Sequence, residues 1–471
     1  MADLGVGREV DLVMQFLDPR RDQPVRIRPL PGLMQIGRRG LLGAGAAGLL
    51  LGAGGKAFGQ LAVDITQGVV EPIPIAISPF AAGGGQSATL AGQIPDVISA
   101  NLDGSGLFRT IDRQAYIQGP EELRGLPRFA DWRQINAQAL VSGVVEETPA
   151  GIGVEFRLWD VLGGQQMTGL RIDAPAASWR RIAHRISDAI YERITGEKGY
   201  FDTRIVYVSE TGPKAKRITR IALMDQDGAN HRFLTDGREL TFGPRFSPDG
   251  RRVAYLLYRG MRPRVYMRDI EGGREQVLID TPGMNFAPRF SPDGQTALVT
   301  VNEDGDFNIV AVDLATRQQR RITSGGGIST SPSFSPDGSR IVFNSDRSGR
   351  PHLFVTSAQG GPAERISYGD GQYGSPAWSP RGDLIAFVNI KQRYFHIGVM
   401  RPDGSDERLI TRSWQDEAPT WAPNGRVVIF QRTEPGGTTK RLYAIDVSGY
   451  NERLVPTPLD ASDPDWSGLL P

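Results

Sequence analysis

Cysteine is absent from this chain of 471 residues. Its absence excludes disulfide bonds, thiolate nucleophiles, cysteine-ligated zinc and a lipid-modified N-terminal cysteine. The four histidines, His184, His231, His352 and His396, are scattered along the chain and form no His-x-His or His-x-x-x-His pair, so we predict a surface or strand-packing role for each. No serine lies in the Gly-x-Ser-x-Gly pattern of an α/β-hydrolase nucleophile. The sequence therefore contains no catalytic or metal-binding motif, and we predict neither a catalytic residue nor a cofactor.

An excess of charge of either sign is also missing. The chain has 54 Lys and Arg residues against 53 Asp and Glu residues, which gives a formal net charge of +1. This balance gives no reason to expect nucleic acid or an anionic membrane as a partner. Several acidic turns resemble calcium loops, but none has the twelve-residue ligand spacing, so we interpret them as ordinary turns between strands.

A long apolar run is missing too, because the longest one covers only residues 41–55 and is rich in glycine. It is too short for a membrane span, and it follows two adjacent arginines. Residues 57–59 supply a small-x-small cleavage site. We therefore predict that residues 1–59 are an N-terminal extension and signal peptide and that the mature protein is exported without a membrane anchor. The export route is either the twin-arginine pathway or the general secretory pathway. Met34 is an alternative start to Met1.

What the sequence does contain is a motif in six copies, Pro-x-Phe/Trp-Ser-Pro-x-Gly with variations. The first prolines of the copies lie 43 to 45 residues apart: Pro244, Pro288, Pro332, Pro376, Pro419 and Pro464. A repeat of this length is typical of a four-stranded propeller blade. Within a repeat, the motif strand is followed by a tight Ser-Pro-Asp-Gly turn and by three further strands. The aromatic third position is predicted to pack between blades.

The two ends of the repeat array complement each other. The segment that begins at Arg204 has three strands but no motif strand before it, whereas the sixth motif, at Pro464, has no strands after it. Pairing these ends completes one blade and removes the exposed edges of a ring. We predict a mainly β fold, with a C-terminal six-bladed β-propeller over residues 201–471.

Residues 60–200 have a different pattern, which predicts a small α/β domain in front of the propeller. Alternating apolar residues indicate strands, and residues 94–102 show helical spacing. A second helix is predicted to begin at Ser178 and to end at Gly196, with Trp179, Ile182, Ala183, Ile186 and Ile190 on one face.

The residues just before each motif proline differ between copies, whereas those after it hardly change. Scaffold positions repeat in such arrays, and positions that vary around a channel mouth form a binding face. These varying pairs are Phe242 and Gly243, Phe286 and Ala287, Thr330 and Ser331, Gly374 and Ser375, Glu417 and Ala418, and Ser462 and Asp463.

The repeats, together with VDITQGVVEPIPIAI after the signal and GYFDTRIVYVSE at the domain junction, closely resemble the TolB family, periplasmic components of the Tol-Pal cell-envelope system. The resemblance covers residues 60–471. It implies a monomeric, non-catalytic adaptor without a cofactor, which maintains outer-membrane integrity and constriction at cell division. It also implies partners: the lipoprotein Pal at a propeller mouth, the C-terminal domain of TolA at the mature N-terminal strand, and other outer-membrane proteins.

Two sets of site residues follow from the resemblance. The implied TolA-binding strand is Leu61, Ala62, Val63, Asp64, Ile65 and Thr66. The implied Pal-binding rim is Met284, Asn285, Ala287, Thr330, Ser331, Asp416 and Glu417. Met284 stands where a histidine is usual in the family. The alternative function is a secreted propeller hydrolase or metal-dependent lactonase, which would need carboxylates or histidines converging in the channel.

Overall fold

The computed structural model describes residues 16–18, 21–29, 71–213, 216–260, 262–280, 288–303, 305–437 and 439–471. It divides the chain into two compact units, one of residues 1–199 with Pro471 and one of Tyr200–Leu470. The predicted TolA-binding strand, residues 61–66, lies outside the described residues, as do Met284, Asn285 and Ala287.

The first unit is a sheet with two long helices. Its strands are β1 (Phe16–Asp18), β2 (Arg21–Pro29), β3 (Ile73–Ile77), β4 (Ala81–Ala82), β5 (Phe108–Thr110), β6 (Ala139–Thr148), β7 (Gly151–Asp160) and β8 (Gln165–Ala174). Its α-helices are α1 (Gly85–Gly104), α2 (Phe129–Gln134) and α3 (Trp179–Thr195). The sheet order is β1-β2-β8-β7-β6-β3-β5, with β4 beside β6 and with β3 parallel to both of its neighbours.

Helix α3 buries most of the predicted apolar face, since Ile182, Ala183, Ile186 and Ile190 are at most 1% exposed, whereas Trp179 is half-buried. It ends, as predicted, where Gly196 adopts a left-handed φ of 73° and donates its N–H to the Glu192 carbonyl. The sequence predicts a surface or strand-packing role for His184, which is wrong. The His184 ring is buried against α1, and its Nδ1 lies 2.9 Å from Asn101 Nδ2.

The second unit is a mainly β propeller of short antiparallel sheets. Its strands are β9 (Arg204–Thr211), β10 (Ile218–Asp225), β11 (Arg232–Phe233), β12 (Leu240–Phe246), β13 (Arg252–Arg259), β14 (Arg262–Asp269), β15 (Glu275–Ile279), β16 (Arg289–Phe290), β17 (Thr296–Glu303), β18 (Asp306–Asp313), β19 (Gln319–Arg321), β20 (Ser329–Phe334), β21 (Arg340–Ser345), β22 (His352–Ser357), β23 (Glu364–Arg365), β24 (Gln372–Trp378), β25 (Ile385–Lys391), β26 (Tyr394–Met400), β27 (Arg408–Leu409), β28 (Gln415–Trp421), β29 (Val427–Thr433), β30 (Lys440–Asp446), β31 (Arg453–Val455) and β32 (Asp460–Trp466).

Four sheets have four strands each, in the orders β11-β10-β9-β32, β12-β13-β14-β15, β16-β17-β18-β19 and β20-β21-β22-β23. Eight consecutive strands, β24 to β31, form a single sheet rather than two separate ones. A single parallel pair, Phe395 with Gln415, joins its two halves, and the Phe395 N–H donates to the Trp414 carbonyl at 3.0 Å.

The predicted closure of the ring by the last strand is confirmed. Strand β32 pairs antiparallel with β9, and Trp466 lies opposite Ile205. Beyond the strand, Arg204 and Ser467 are joined by two hydrogen bonds, and Trp466 Nε1 donates to Thr203 Oγ1 at 2.8 Å. The first and last strands of the array therefore leave no free edge between them.

The Ser-Pro-Asp-Gly segment forms the predicted tight turn, as the copy at Ser335 shows. The Gly338 N–H donates to the Ser335 carbonyl at 2.8 Å, with Gly338 at a φ of 71°. The Ser335 hydroxyl contacts the Asp337 carboxylate and also accepts the Arg340 N–H. The hydrogen bond from the Ser335 hydroxyl, followed by those from the Ser339 N–H and hydroxyl, lowers the pKa of Asp337 to about 2. Serine, aspartate and glycine recur because the turn uses all three.

The motif aromatics pack between sheets, as predicted. Phe246, Trp378, Trp421 and Trp466 are 6–8% exposed. Phe246 shares a cluster with Val206 and Val208 of the preceding sheet, and Phe290 and Phe334 pack against similar clusters.

Candidate binding face at the channel mouth

Five of the six motif strands contain a β-bulge immediately before the proline, and the residue before the remaining proline, Pro288, lies outside the described residues. The residue that precedes the proline has a positive φ of 47–53° in all five described copies: Gly243, Ser331, Ser375, Ala418 and Asp463. The ladder register shifts at the same point, for example between Thr330 and Ser333. Proline fits here because the motif strand is the innermost strand of its sheet, so its missing N–H breaks no ladder bond.

Two cavities lie along the axis that these strands surround. The first, about 320 Å³, is lined by residues of all six motif copies, from the second motif position onward; we call it the motif cavity. The second, about 450 Å³, is lined by bulge residues of the five described copies; we call it the rim cavity. Arg245 and Arg289 line both, so their side chains lie between the two cavities.

Ser331 and Thr330, two of the rim residues implied by the family resemblance, have different surroundings. Ser331 lines the rim cavity. Thr330 is only 8% exposed, and its hydroxyl oxygen accepts a hydrogen bond from Asn344 Nδ2 at 3.0 Å. Of this pair, Ser331 is therefore the residue that can contact a partner without first breaking an internal bond.

Asp416 is completely buried, which the sequence did not indicate. Arg432 donates to both of its oxygens, from Nε at 2.7 Å and from Nη2 at 3.1 Å, and also binds Glu452. The guanidinium lies 4.4 Å from the centroid of the Tyr443 ring. Burial alone would lower the pKa of Arg432, but the hydrogen bonds with Glu452 and Asp416 raise it above its ordinary value. Asp416 therefore holds this network together rather than facing a partner.

Glu417, next to Asp416, is the less constrained acid. Gln431 Nε2 donates to the Glu417 Oε2 at 3.3 Å, and the Gln431 side-chain amide oxygen, Oε1, accepts the Asp463 N–H at 2.8 Å. Burial raises the pKa of Glu417, and the nearby carboxylates of Asp463 and Asp416 add to this effect. Gln431 and Lys440 act in the opposite direction. Glu417 thus places a weakly compensated carboxylate beside the rim.

Phe242, one of the varying residues before a motif proline, lines the rim cavity, is 36% exposed and packs edge-on against Tyr258, with ring centroids 5.9 Å apart. Sequence reasoning missed one feature of this face, the charge of the second motif position. This position is occupied by Arg245, Arg289, Ser333, Ala377, Thr420 and Asp465 in the six copies. This variation stands in the printed sequence and could have indicated that these side chains face the channel.

Among the described residues that line the two cavities there is no histidine, and the only carboxylates are those of Asp463 and Asp465. His352, which belongs to a strand away from both linings, is buried, with Arg350 Nε donating to its Nε2 at 3.1 Å. Burial, together with the two arginines nearby, lowers the pKa of His352 to about 4. The described channel thus does not bring together the ligands that a metal-dependent lactonase would need.

Comparison with known proteins identifies the family. The family described as the TolB beta propeller domain matches residues 191–470, and the TolB amino-terminal domain matches residues 61–167. The chain belongs to the TolB family.

Curated relatives support the same assignment to the TolB family. The Tol-Pal system protein TolB of Paramagnetospirillum magneticum is 59% identical over 418 residues, covering 88% of this chain and 94% of the relative. The protein of the same name from Pelagibacter ubique is 57% identical over 429 residues, covering 88% and 96%. The crystal structure of TolB from Acinetobacter baumannii matches with a TM-score of 0.77 at 26% identity, covering 87% of this chain and all of that one. Among the described residues, no helix has both the length and the hydropathy of a membrane span.

Proposed function

We propose that the protein is a non-catalytic periplasmic adaptor of the Tol-Pal system, which binds the lipoprotein Pal at the rim cavity. The observation that carries the proposal is the repeated bulge. One backbone geometry presents a different pair of side chains to the same mouth in each sheet, as a protein-binding face requires. The names of the relatives and the coverage of both family domains support the partner.

The proposed architecture is a six-bladed propeller over residues 201–471, in which the eight-stranded sheet counts as two blades. Its two halves each contain one motif strand followed by three further strands, like the four separate sheets. Because one parallel pair joins the halves, this contact is a link between neighbouring blades rather than a continuous ladder.

Maturation and the second partner belong to the same proposal. Removal of residues 1–59 as an N-terminal extension and signal peptide would take β1 and β2 away from the edge of the sheet at β8. It would leave residues 61–66 near a new N-terminus, where an extended segment can add a strand to a partner sheet. We infer that this segment binds the C-terminal domain of TolA and that Pal release tethers the outer membrane during constriction. Other outer-membrane proteins are further candidate partners of the monomeric adaptor.

The test is calorimetric titration of the processed protein, purified from the periplasm of cells that express the full chain, with the soluble domain of Pal. Ser331→Arg places a long charged side chain in the rim cavity, so we expect at least tenfold weaker binding, about 1.4 kcal/mol or more. Ser339→Arg is the matched control, since Ser339 is exposed in the same blade at the other end of β20.

Equal loss in both variants would argue against a rim site, and no binding by the folded unmodified protein would contradict the adaptor function. Mass spectrometry of the same sample reports the N-terminus and so tests cleavage near residue 59.

A further inference from the structure

Two arginines occupy equivalent positions in adjacent motif strands and separate the two cavities. Arg245 in β12 and Arg289 in β16 are each the second residue of their motif. In two other copies the residue at this position accepts a hydrogen bond from the next sheet: Asp465 from the Phe246 N–H at 2.8 Å, and Ser333 from the Trp378 N–H at 3.0 Å. A guanidinium has no acceptor, so the arginines cannot make this bond.

Arg245 is the less compensated of the two. The residue is 9% exposed, and its buried Nε has no hydrogen-bond partner among the described residues. Its Nη1 donates to the carbonyl of the adjacent Pro244 at 2.6 Å, and no acidic side chain of the described residues forms an ion pair with it. A buried cation that donates only to a neutral carbonyl retains most of its desolvation cost.

Arg289 has one nearby acid, at a distance too long for a hydrogen bond. Its Nη1 lies 3.6 Å from Asp465 Oδ1, and the Asp465 oxygens are already used by the Phe246 N–H and, at 3.3 Å, the Thr420 hydroxyl. Burial and the positive charge of Arg245 lower the pKa of Arg289 to about 9, whereas Asp465 and Asp463 raise it. The two guanidiniums are thus close enough to repel each other.

We propose that Arg245 and Arg289 together bind a small dissolved oxyanion of the phosphate or sulfate class at this constriction. Guanidinium groups match the geometry of oxyanions and bind them through charge-assisted hydrogen bonds. The cavities on either side, about 320 and 450 Å³, leave room for such an ion. Ser333 lines the motif cavity beside them, and its oxygen accepts the Trp378 N–H. Its hydroxyl donates to no acceptor among the described residues, so it can donate a further hydrogen bond to the ion. Binding of this ion does not require Pal, although both arginines also line the rim cavity.

The probe is inorganic phosphate, titrated calorimetrically into the full processed chain at pH 7 and at constant ionic strength set with sodium chloride. We expect saturable binding by the unmodified protein and at least tenfold weaker binding by Arg245→Gln. Arg251→Gln, an exposed arginine of the same blade, should leave binding unchanged. Saturating phosphate should also raise the melting temperature by about 2 °C or more beyond the effect of chloride.

Arg289→Gln provides a second variant if Arg245→Gln does not fold, because the Arg289 side chain is 24% exposed and less tightly enclosed. Absence of saturable binding by the folded protein would overturn the site. Equal weakening in Arg251→Gln would also overturn it, because the phosphate effect would then be general charge screening.

Discussion

The two ends of each motif strand differ in what they hold fixed. After the proline, both backbone and side chains are constrained: serine and aspartate tie the turn, and the aromatic residue is buried between sheets. At the position immediately before the proline only the backbone is constrained, because a left-handed bulge accommodates glycine, serine, alanine or aspartate. Stability and recognition therefore occupy neighbouring residues of one strand. The residues of the binding face can therefore change without disturbing the propeller scaffold.

The largest effect is expected at the scaffold end, in Trp466→Ala. This side chain is 7% exposed, bonds Thr203 and packs edge-on against Tyr200 beside the closing strand. Its removal should lower the free energy of unfolding by about 4 kcal/mol, the scale for a large buried aromatic residue. Urea unfolding measures the change. Tyr450→Ala, which removes a 59% exposed aromatic side chain, is the control. If Trp466→Ala lowers the free energy of unfolding no more than the control does, closure does not depend on Trp466.

Asp416→Asn tests whether a residue on the rim side of a proline can still belong to the scaffold. Removing one charge of the buried pair with Arg432 should lower the free energy of unfolding by about 3 kcal/mol. The comparison is Asp236→Asn, which affects an exposed ion pair with Arg238 and should cost under about 1 kcal/mol. At a temperature where the variant is folded, we expect less than a tenfold change in Pal affinity. A stable variant that no longer binds Pal would instead place Asp416 in the interface.

The smallest effect concerns the pH dependence of Glu417. Its folded-state pKa is raised, so ionisation favours the unfolded chain, and stability is lost as the pH rises above the ordinary glutamate value. Glu417→Gln removes this loss and should be more stable than the unmodified protein at pH 7, by about 0.5 kcal/mol. At pH 3, where the carboxyl is protonated in both states, the difference should vanish. Urea unfolding at both pH values checks this, and a less stable variant at pH 7 would show that the Gln431 contact dominates.

The parts of the fold that repeat could be predicted from the sequence. The spacing of the motif prolines predicts the strand–turn unit, and the incomplete repeats at Arg204 and Pro464 predict the pairing of β9 with β32. The end of α3 at Gly196 was also predictable, because a single glycine ends a strongly periodic segment. These features depend on local patterns that recur or stop abruptly.

The parts that could not be predicted depend on non-local pairing. Asp416 and Arg432 look like unrelated surface charges until the β28–β29 register places them opposite each other. The bulges were not predicted because Ser331, Ser375 and Ala418 are residue types that rarely adopt a positive φ. The burial of His184 depends on α1 and α3 packing together, which no local pattern specifies.

The closing strand has a consequence for the order of assembly. Strand β32 follows every other strand of the ring along the chain, yet its partner β9 is the first of them. During synthesis or transport from the N-terminus, one edge of β9 therefore stays unpaired until the chain has emerged as far as the end of β32, more than two hundred and fifty residues later. The propeller cannot be completed progressively, and an exposed strand edge is a hazard for aggregation. We expect the newly made chain to need protection from premature pairing until its final strand arrives.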